Sequence, residues 1–438
     1  MFRQTFYYLG IKNNPWMSED ALRRLQLRKL KHLVRHAYET TVFYKGLYDE
    51  HQVAPQAMKS LVDLTYLPII NKDIVNRAGQ DIISEKYSVA SLIKSRTSGT
   101  TGVGVIIYRS KASADLTGAA KFRIDVMNGF RPWMKTANWA LRDTKNYRKF
   151  SHVLGLNRQE MIAPDIPMEE QVAILQEHQP ETFYCYPSQL VRVARYILDN
   201  DIHGIHPKLV ILHSENSQRR EREIIEKCFG VNPLNVYGAR EFGTVAWGGG
   251  KTNCLGLHIN ADLLFLEVID PETGQRVGEG ESGNIVITDF TNLARPLIRY
   301  DTRDIAVATY NQCGCGITFP IIKDVLGRSG ETVRLPSGEE HTIDFGIGLL
   351  IMPIDVIEQY QVIITAQSSL IIKIKTAGNV KINELELSAK ISEHCGGIQS
   401  EIQYVVSSDE FLTAPSGKFL EFIREADSSR SELRESTE

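Results

Sequence analysis

The chain has 438 residues, with 50 lysines and arginines against 53 aspartates and glutamates, for a formal net charge of -3. So even a balance gives no electrostatic footprint for nucleic acid, and 42% hydrophobic with 24% charged residues excludes a fibrous or wholly disordered chain. The length predicts two or three domains around a large core; no apolar run approaches the ~20 residues of a membrane helix.

Met1 to Trp16 lacks the charged-then-apolar pattern of a secretory signal, so a cytoplasmic location is expected. In chain order, Leu22, Leu25, Leu30, Leu33, Val34, Ala37 and Tyr38 recur at helical spacing through the basic run from Arg23 to His36. This predicts an amphipathic helix with a solvated basic face. Ser91 to Lys94 and Val103 to Tyr108 predict strands on either side of Thr97-Ser98-Gly99-Thr100-Thr101-Gly102. Such small residues leave little side chain between the backbone amides and a guest. Successive N–H groups can converge on phosphate oxygens, the hydroxyls add donors, and glycine supplies the φ > 0 geometry of a tight cradle.

Glu169 to Gln179 and Pro187 to Asp199 predict helices around a strand at Thr182 to Tyr186. A strand at Leu209 to Leu212, a helix at Gln218 to Phe229 and a short strand at Asn235 to Tyr237 follow, which reads as α/β layering on a largely parallel sheet. From Leu263 the pattern turns to β, with strands at Leu264 to Ile269 and Gly283 to Thr288 around the turn Pro271-Glu272-Thr273-Gly274. A boundary is expected near Gly327 to Gly330. Beyond it, Val333 to His341 reads as a hairpin. Strands at Tyr360 to Thr365, Leu370 to Lys375 and Ile402 to Val406, with a helix at Ile382 to Ser392, suffice for a small α+β domain. Ala426 to Glu438 has no apolar partner and reads as a disordered tail.

Four more stretches depart from background: Tyr237-Gly238-Ala239-Arg240-Glu241, Tyr300-Asp301-Thr302-Arg303-Asp304, Gly327-Arg328 and Ser416-Gly417-Lys418. Following the Thr97 to Gly102 loop in this order, they resemble the adenylate-forming superfamily. Gly256-Leu257-His258-Ile259 and Pro296-Leu297-Ile298-Arg299-Tyr300 are similar to its branch of phenylacetate-CoA ligases and capsular-polysaccharide-type relatives. The resemblance runs roughly from Leu22 to Arg424. It implies an α/β fold with a large N-terminal domain over 1–328, built of layered mixed sheets and helices plus a β-rich subdomain. A small mobile α+β domain over 329–425 would carry a catalytic lysine, with the tail at 426–438.

The implied reaction joins a carboxylic acid to ATP as acyl-AMP with release of pyrophosphate, where catalysis is mostly positioning and electrostatics. By resemblance, Thr97, Ser98, Gly99, Thr100, Thr101 and Gly102 hold phosphates, Tyr237 offers an aromatic face for the adenine with Gly238 in the same nucleotide-binding stretch, and Glu215 lies at the adenine pocket. A half-buried core role for Tyr237 stays open. Asp304 has the chemistry to accept both ribose hydroxyls, Arg328 to donate to ribose or phosphate, and Glu241 to ligate magnesium as a hard oxygen for a hard cation. Lys418 would place its ammonium between the carboxylate and the α-phosphate. Tyr186-Pro187-Ser188 echoes a turn beside the acyl pocket, and a helix cap by Ser188 explains it equally well. Two features depart from the family: Val103 stands where a lysine usually follows the loop, and Ser329-Gly330-Glu331 replaces an acidic hinge.

Cys254 and His258 form one short ligand pair and Cys313 and Cys315 another. Three thiolates and an imidazole make a closed structural zinc set, and similar pairs occur in the branch. The other cysteines, Cys185, Cys228 and Cys395, read as scattered apolar residues. Coenzyme A is the expected acceptor of the acyl group, an amine the alternative, and a homodimer stays open. Two readings of another class compete: a nucleotide-binding protein without turnover, marked by the missing loop lysine, and a phosphotransferase. The second fits poorly, because the loop lacks the ending of a Walker site and leads into a strand.

Overall fold

The computed structural model describes residues 2–96, 106–139, 158–164, 166–215, 217, 219–252, 254–328, 331–334, 340–343, 346–351, 354, 356–395, 397–413, 419–420 and 422–425. They fall into two compact units: the larger takes the described residues up to Leu326 except Ala163 and Pro164, and the smaller takes those two with the residues from Gly327 onward.

The larger unit opens with helices α1 (Phe2–Ile11), α2 (Glu19–Thr40), α3 (Val42–Glu50) and α4 (Lys72–Ala78). Ser18 caps α2 by accepting from the Ala21 N–H, and Glu19 and Asp20 add favourable charge at its first turn. Leu22, Leu30, Leu33, Val34 and Ala37 are buried, as the spacing predicts. The basic face is not wholly solvated: Lys29 donates to the Asp262 carbonyl at 2.6 Å and His36 is buried against the Leu293 carbonyl at 2.9 Å.

Strands β1 (Ile93–Arg96) and β2 (Ile106–Arg109) pair antiparallel and lead into α5 (Lys111–Met127), a helix the sequence reading did not anticipate. Then come β3 (Thr136–Trp139), β4 (Gln159–Ile162), α6 (Met168–His178), β5 (Thr182–Cys185), α7 (Pro187–Asp199), β6 (Leu209–His213), α8 (Arg219–Phe229) and β7 (Leu234–Ala239). Alternating helices force parallel pairing, since each crossover must carry the chain back to the same edge. β3 to β7 are all parallel, and the sheet continues antiparallel through β8 (Gly243–Gly249), β9 (Leu257–Ile259) and β13 (Ile321–Ile322), in the order β13-β9-β8-β7-β6-β5-β3-β4.

Alternation along the strands gives the sheet two apolar faces. Phe183, Cys185, Val210 and Leu212 pack with α7 and α8, where the Phe183 ring meets Trp139 and Phe229 edge to face at 5.5 and 5.3 Å. Tyr184, Ile211, Leu234 and Val236 pack on the other side with Ile124 of α5. A second sheet, in the order β10-β11-β12-β14, comprises β10 (Leu264–Ile269), β11 (Ser282–Asp289), β12 (Tyr300–Val307) and β14 (Asp324–Arg328).

One buried arginine ties the start of the chain to this core. Arg123 on α5 donates to both Asp262 oxygens at 2.7 and 3.0 Å, to Asn260 Oδ1 at 2.7 Å and to the Ile11 carbonyl at 2.9 Å.

The smaller unit contains the hairpin β15 (Glu331–Arg334) and β16 (Glu340–Ile343), helix α9 (Gly346–Ile351), and a four-stranded sheet in the order β19-β18-β17-β20. That sheet is built from β17 (Ile357–Ile364), β18 (Leu370–Thr376), β19 (Ser400–Tyr404) and β20 (Phe422–Arg424), with α10 (Glu384–His394) burying Leu387 and Ile391 in its core. The expected strands and helix are present with ends shifted by a few residues. The expected tail lies outside the described residues.

Candidate active site

In a parallel sheet, side chains just past the carboxyl ends of the strands point into a shared crevice, where such folds bind ligands. The loops after β5, β6 and β7 carry Tyr186, Glu215 and Glu241. Ser214, ahead of Glu215, sits at φ 68, a left-handed backbone uncommon for serine and typical of functional turns. Glu215 Oε2 accepts from the Ser188 backbone N–H at 3.1 Å, at the first turn of α7. Ser188 is therefore not the cap: Tyr186 holds that position without a side-chain bond, and Pro187 opens the helix, where its missing N–H does no harm.

Tyr237 and Asp304 come together. The phenol donates to Asp304 Oδ2 at 2.5 Å, joining β7 of the large sheet to β12 of the second sheet. Asp304 is only 9% exposed, and its own N–H donates to Thr302 Oγ1 at 3.1 Å. The preceding Arg303 adopts φ 58, donates its N–H to Asp301 at 2.8 Å and pairs with Asp73 at 3.0 Å. Burial pushes the Asp301 carboxyl up, against the Arg303 N–H and the Asn284 amide that bond it. Gly238 has a steric reason: a Cβ there would meet the Gly243 carbonyl oxygen at 2.9 Å.

Sequence reading missed the groups that hold the β1–β2 hairpin. Arg109, the last residue of β2, donates to Thr117 at 3.1 Å and to the Glu241 carbonyl, so its guanidinium fastens the hairpin to the Tyr237–Glu241 segment. Asn292 donates to the Tyr108 carbonyl at 2.9 Å and Arg295 to that of Ile106. Asp289 is buried near Arg109, and that burial raises its carboxyl while the guanidinium opposes the shift. An arginine at a strand end carries no sequence signal; only the packing reveals the anchor.

Glu241, Glu215, Tyr237, Gly238 and Asp304 all lie in the larger unit. Arg328 is described as backbone at the end of β14. Thr97, Ser98, Gly99, Thr100, Thr101, Gly102 and Lys418 lie outside the described residues.

No family model matches the chain. Phenylacetate-coenzyme A ligase of Thermus thermophilus is 28% identical over 415 residues, covering 91% of this chain and 87% of that protein. CapK of Staphylococcus aureus is 24% identical over 307 residues, covering 68% of this chain and 65% of its own. Among solved structures, 2-hydroxyisobutyryl-CoA ligase in the postadenylation state with 2-HIB-AMP superposes with a TM-score of 0.71 at 18% identity, over 95% of this chain and 92% of that one. The chain shares its fold with this CoA ligase and is similar in sequence, over most of its length, to phenylacetate-coenzyme A ligase.

Two of the motifs that carry the sequence resemblance have structural explanations. Arg299, in Pro296 to Tyr300, forks onto both buried Glu267 oxygens at 3.1 Å and also donates to the Thr65 and Leu67 carbonyls. Gly256 lets β13 approach: a Cβ there would meet the Ile322 carbonyl oxygen at 2.3 Å.

That close approach brings two loops together. Cys254, His258, Cys313 and Cys315 offer ligand atoms all within 4.8 Å of one another. Cys254 Sγ lies 3.5 Å from Cys315 Sγ, and His258 Nε2 lies 3.2 Å from Cys315 Sγ. A tetrahedron with Zn–S near 2.3 Å has S–S edges of about 3.8 Å. His258 Nδ1 donates to the Phe319 carbonyl at 2.8 Å, which fixes the tautomer and turns the Nε2 lone pair inward. Burial lowers its pKa, favouring the neutral ligand form. Backbone N–H groups of Leu255 and Cys315 bring the Cys313 thiol down despite its burial, whereas burial pushes Cys254 up. A divalent cation would supply the charge that ionises all three.

Proposed function

We propose that this protein activates a carboxylic acid with ATP as an acyl-AMP, releasing pyrophosphate, and transfers the acyl group to coenzyme A. The observation that carries this reading is the Tyr237–Asp304 contact, which assembles two separate motifs beside the strand ends in a chain similar over 91% of its length to phenylacetate-CoA ligase. An aromatic acid is the substrate class by that similarity. The acceptor rests on it as well, with an amine as the second outcome.

In the reaction, the Thr97 to Gly102 loop would wrap the β and γ phosphates with backbone N–H groups. Arg109 would keep that loop's hairpin in register with Glu241, whose carboxylate would hold magnesium at the phosphates. The Tyr237 ring would cover the adenine, and Asp304 would take the ribose hydroxyls while the phenol holds its orientation. Arg328 and Lys418 would complete the charge around the α-phosphoryl group. Incubating the protein with ATP, magnesium and a panel of acids tests this: carboxylate-dependent pyrophosphate release is expected. Transfer of only the terminal phosphate, or no release with any acid, would remove the reading.

The four-residue cluster is proposed to hold a structural zinc ion, closed to water, in a cytoplasmic protein. None of the described helices is long and apolar enough to cross a membrane. Metal analysis should find one zinc per chain. Cys315→Ser should lose it and lower the melting temperature by roughly 2–4 °C for each kcal/mol of stability removed. Purified protein that is fully folded without zinc would rule the site out.

A further inference from the structure

Alternation along β17 sends Tyr360, Val362 and Ile364 into the core of the smaller unit and Gln361 to the opposite face of its sheet. Glutamine is ordinarily a solvent-exposed residue, yet Gln361 is fully buried. What it meets there is the chain around Leu412 and Leu420. Gln361 Nε2 donates to the Leu412 carbonyl at 2.8 Å and to the Leu420 carbonyl at 2.7 Å, while Oε1 accepts from the Leu412 N–H at 3.0 Å. Its register partner on β18, Lys373, donates from Nζ to the Glu410 carbonyl at 2.9 Å, so two facing side chains of one sheet hold the same stretch of backbone. Thr413 and Phe419, between the two Gln361 contacts, form an antiparallel bridge, and the Phe419 ring meets buried Phe411 edge to face at 5.8 Å.

A side-chain amide has two donor hydrogens and a carbonyl acceptor, and Gln361 sets both kinds of group against the backbone. An apolar residue of the same volume would fill the space and leave two carbonyls and one N–H without this partner. The amide adds something packing alone does not: both arms of one hairpin are fixed to a single rigid strand, and a satisfied buried network of this kind holds its members in one arrangement. Those arms bound the stretch Ser416-Gly417-Lys418, and Lys418 directly precedes Phe419 in the chain, one peptide bond from a bridged residue. We propose that Gln361 is a positioning residue for acyl-adenylate formation: by clamping both arms of this hairpin it fixes where the Lys418 ammonium is presented to the acid and the α-phosphate. This rests on the acid-activating reading above and on the part given there to Lys418. A long lysine side chain multiplies any movement of its root, so a loosened hairpin would spread the ammonium over many positions of which few serve the reaction.

The test is a double-mutant cycle on the full chain. Gln361→Met keeps the length and approximate volume of the side chain and removes its amide. It should lower kcat for carboxylate-dependent pyrophosphate release by roughly 10- to 10²-fold, the scale on which displacing a reacting group by about 1 Å slows a reaction, and leave KM for ATP unchanged. In a Lys418→Ala background the same change should cost less than about twofold, because the group it positions is gone. Thr413→Gly, at an exposed position of the bridge, loosens the hairpin without entering the core and should repeat the pattern at smaller size. Ile372→Val, buried on the other face of the same sheet, is the control: it should lower the melting temperature and leave kcat in place. An equal cost of Gln361→Met or of Thr413→Gly with and without Lys418, or full activity of Gln361→Met, overturns the proposal while leaving Lys418 in the mechanism. An unchanged rate in Lys418→Ala overturns both.

Discussion

Replacing Lys418 by alanine is expected to slow acyl-adenylate formation by about 10² to 10³-fold, equal to roughly 2.7–4 kcal/mol of transition-state stabilisation. The physical reason is charge. On the proposed reading, negative charge gathers on two groups that repel each other as the carboxylate oxygen attacks the α-phosphorus, and the Lys418 ammonium would offset that repulsion. ATP affinity should stay near its original value, because the residues proposed to hold the nucleotide, the Thr97 to Gly102 loop, Tyr237 and Asp304, are untouched. The measurement is carboxylate-dependent pyrophosphate release set against nucleotide binding by titration. An unchanged rate of release would take Lys418 out of the mechanism, and a matching loss of ATP binding would make it a ground-state ligand instead.

Arg123→Met is expected to lower the stability of the larger unit by about 3–5 kcal/mol, the range for breaking a buried ion pair from one side. Arg123 and Asp262 retain 1% and 0% of their side-chain surface, so the orphaned carboxylate would have no solvent to turn to. The lost bonds also free the Ile11 carbonyl and loosen the packing of α1 against α5. A urea unfolding midpoint, followed by tryptophan fluorescence, reads the effect. Arg219→Ala provides the contrast: its pair with Glu223 is 87% and 56% exposed and should change stability by only about 0–1 kcal/mol. Adding Asp262→Leu to Arg123→Met should recover much of the loss, since the uncompensated charge is then gone. A midpoint unmoved by Arg123→Met would show that this network contributes nothing net.

Much of the architecture was legible because the determining signals are local. The runs around Thr182, Leu209 and Asn235, separated by helical patterns, specify parallel strands, since period and length alone decide between strand and helix there. Pro187 marks the start of a helix for the same kind of reason. Where the signal was weak, so was the reading. α5 has small, mixed residues and no strong apolar stripe, so nothing in Lys111 to Met127 announced a helix whose partners lie as far away as Asp262.

The site divides along the same line. Its candidate residues, from the glycine loop through Tyr237 and Asp304 to Lys418, were suggested by the resemblance of ordered motifs to a known superfamily, and the two Cys/His pairs by their short spacings. Tertiary structure alone brought Tyr237 to Asp304, closed Cys254 and His258 onto Cys315, and set Arg109 against the Glu241 carbonyl. Contacts of this kind depend on how sheets cross and how closely backbones approach. Those distances come from the packing of many residues at once, and no short stretch of sequence encodes them.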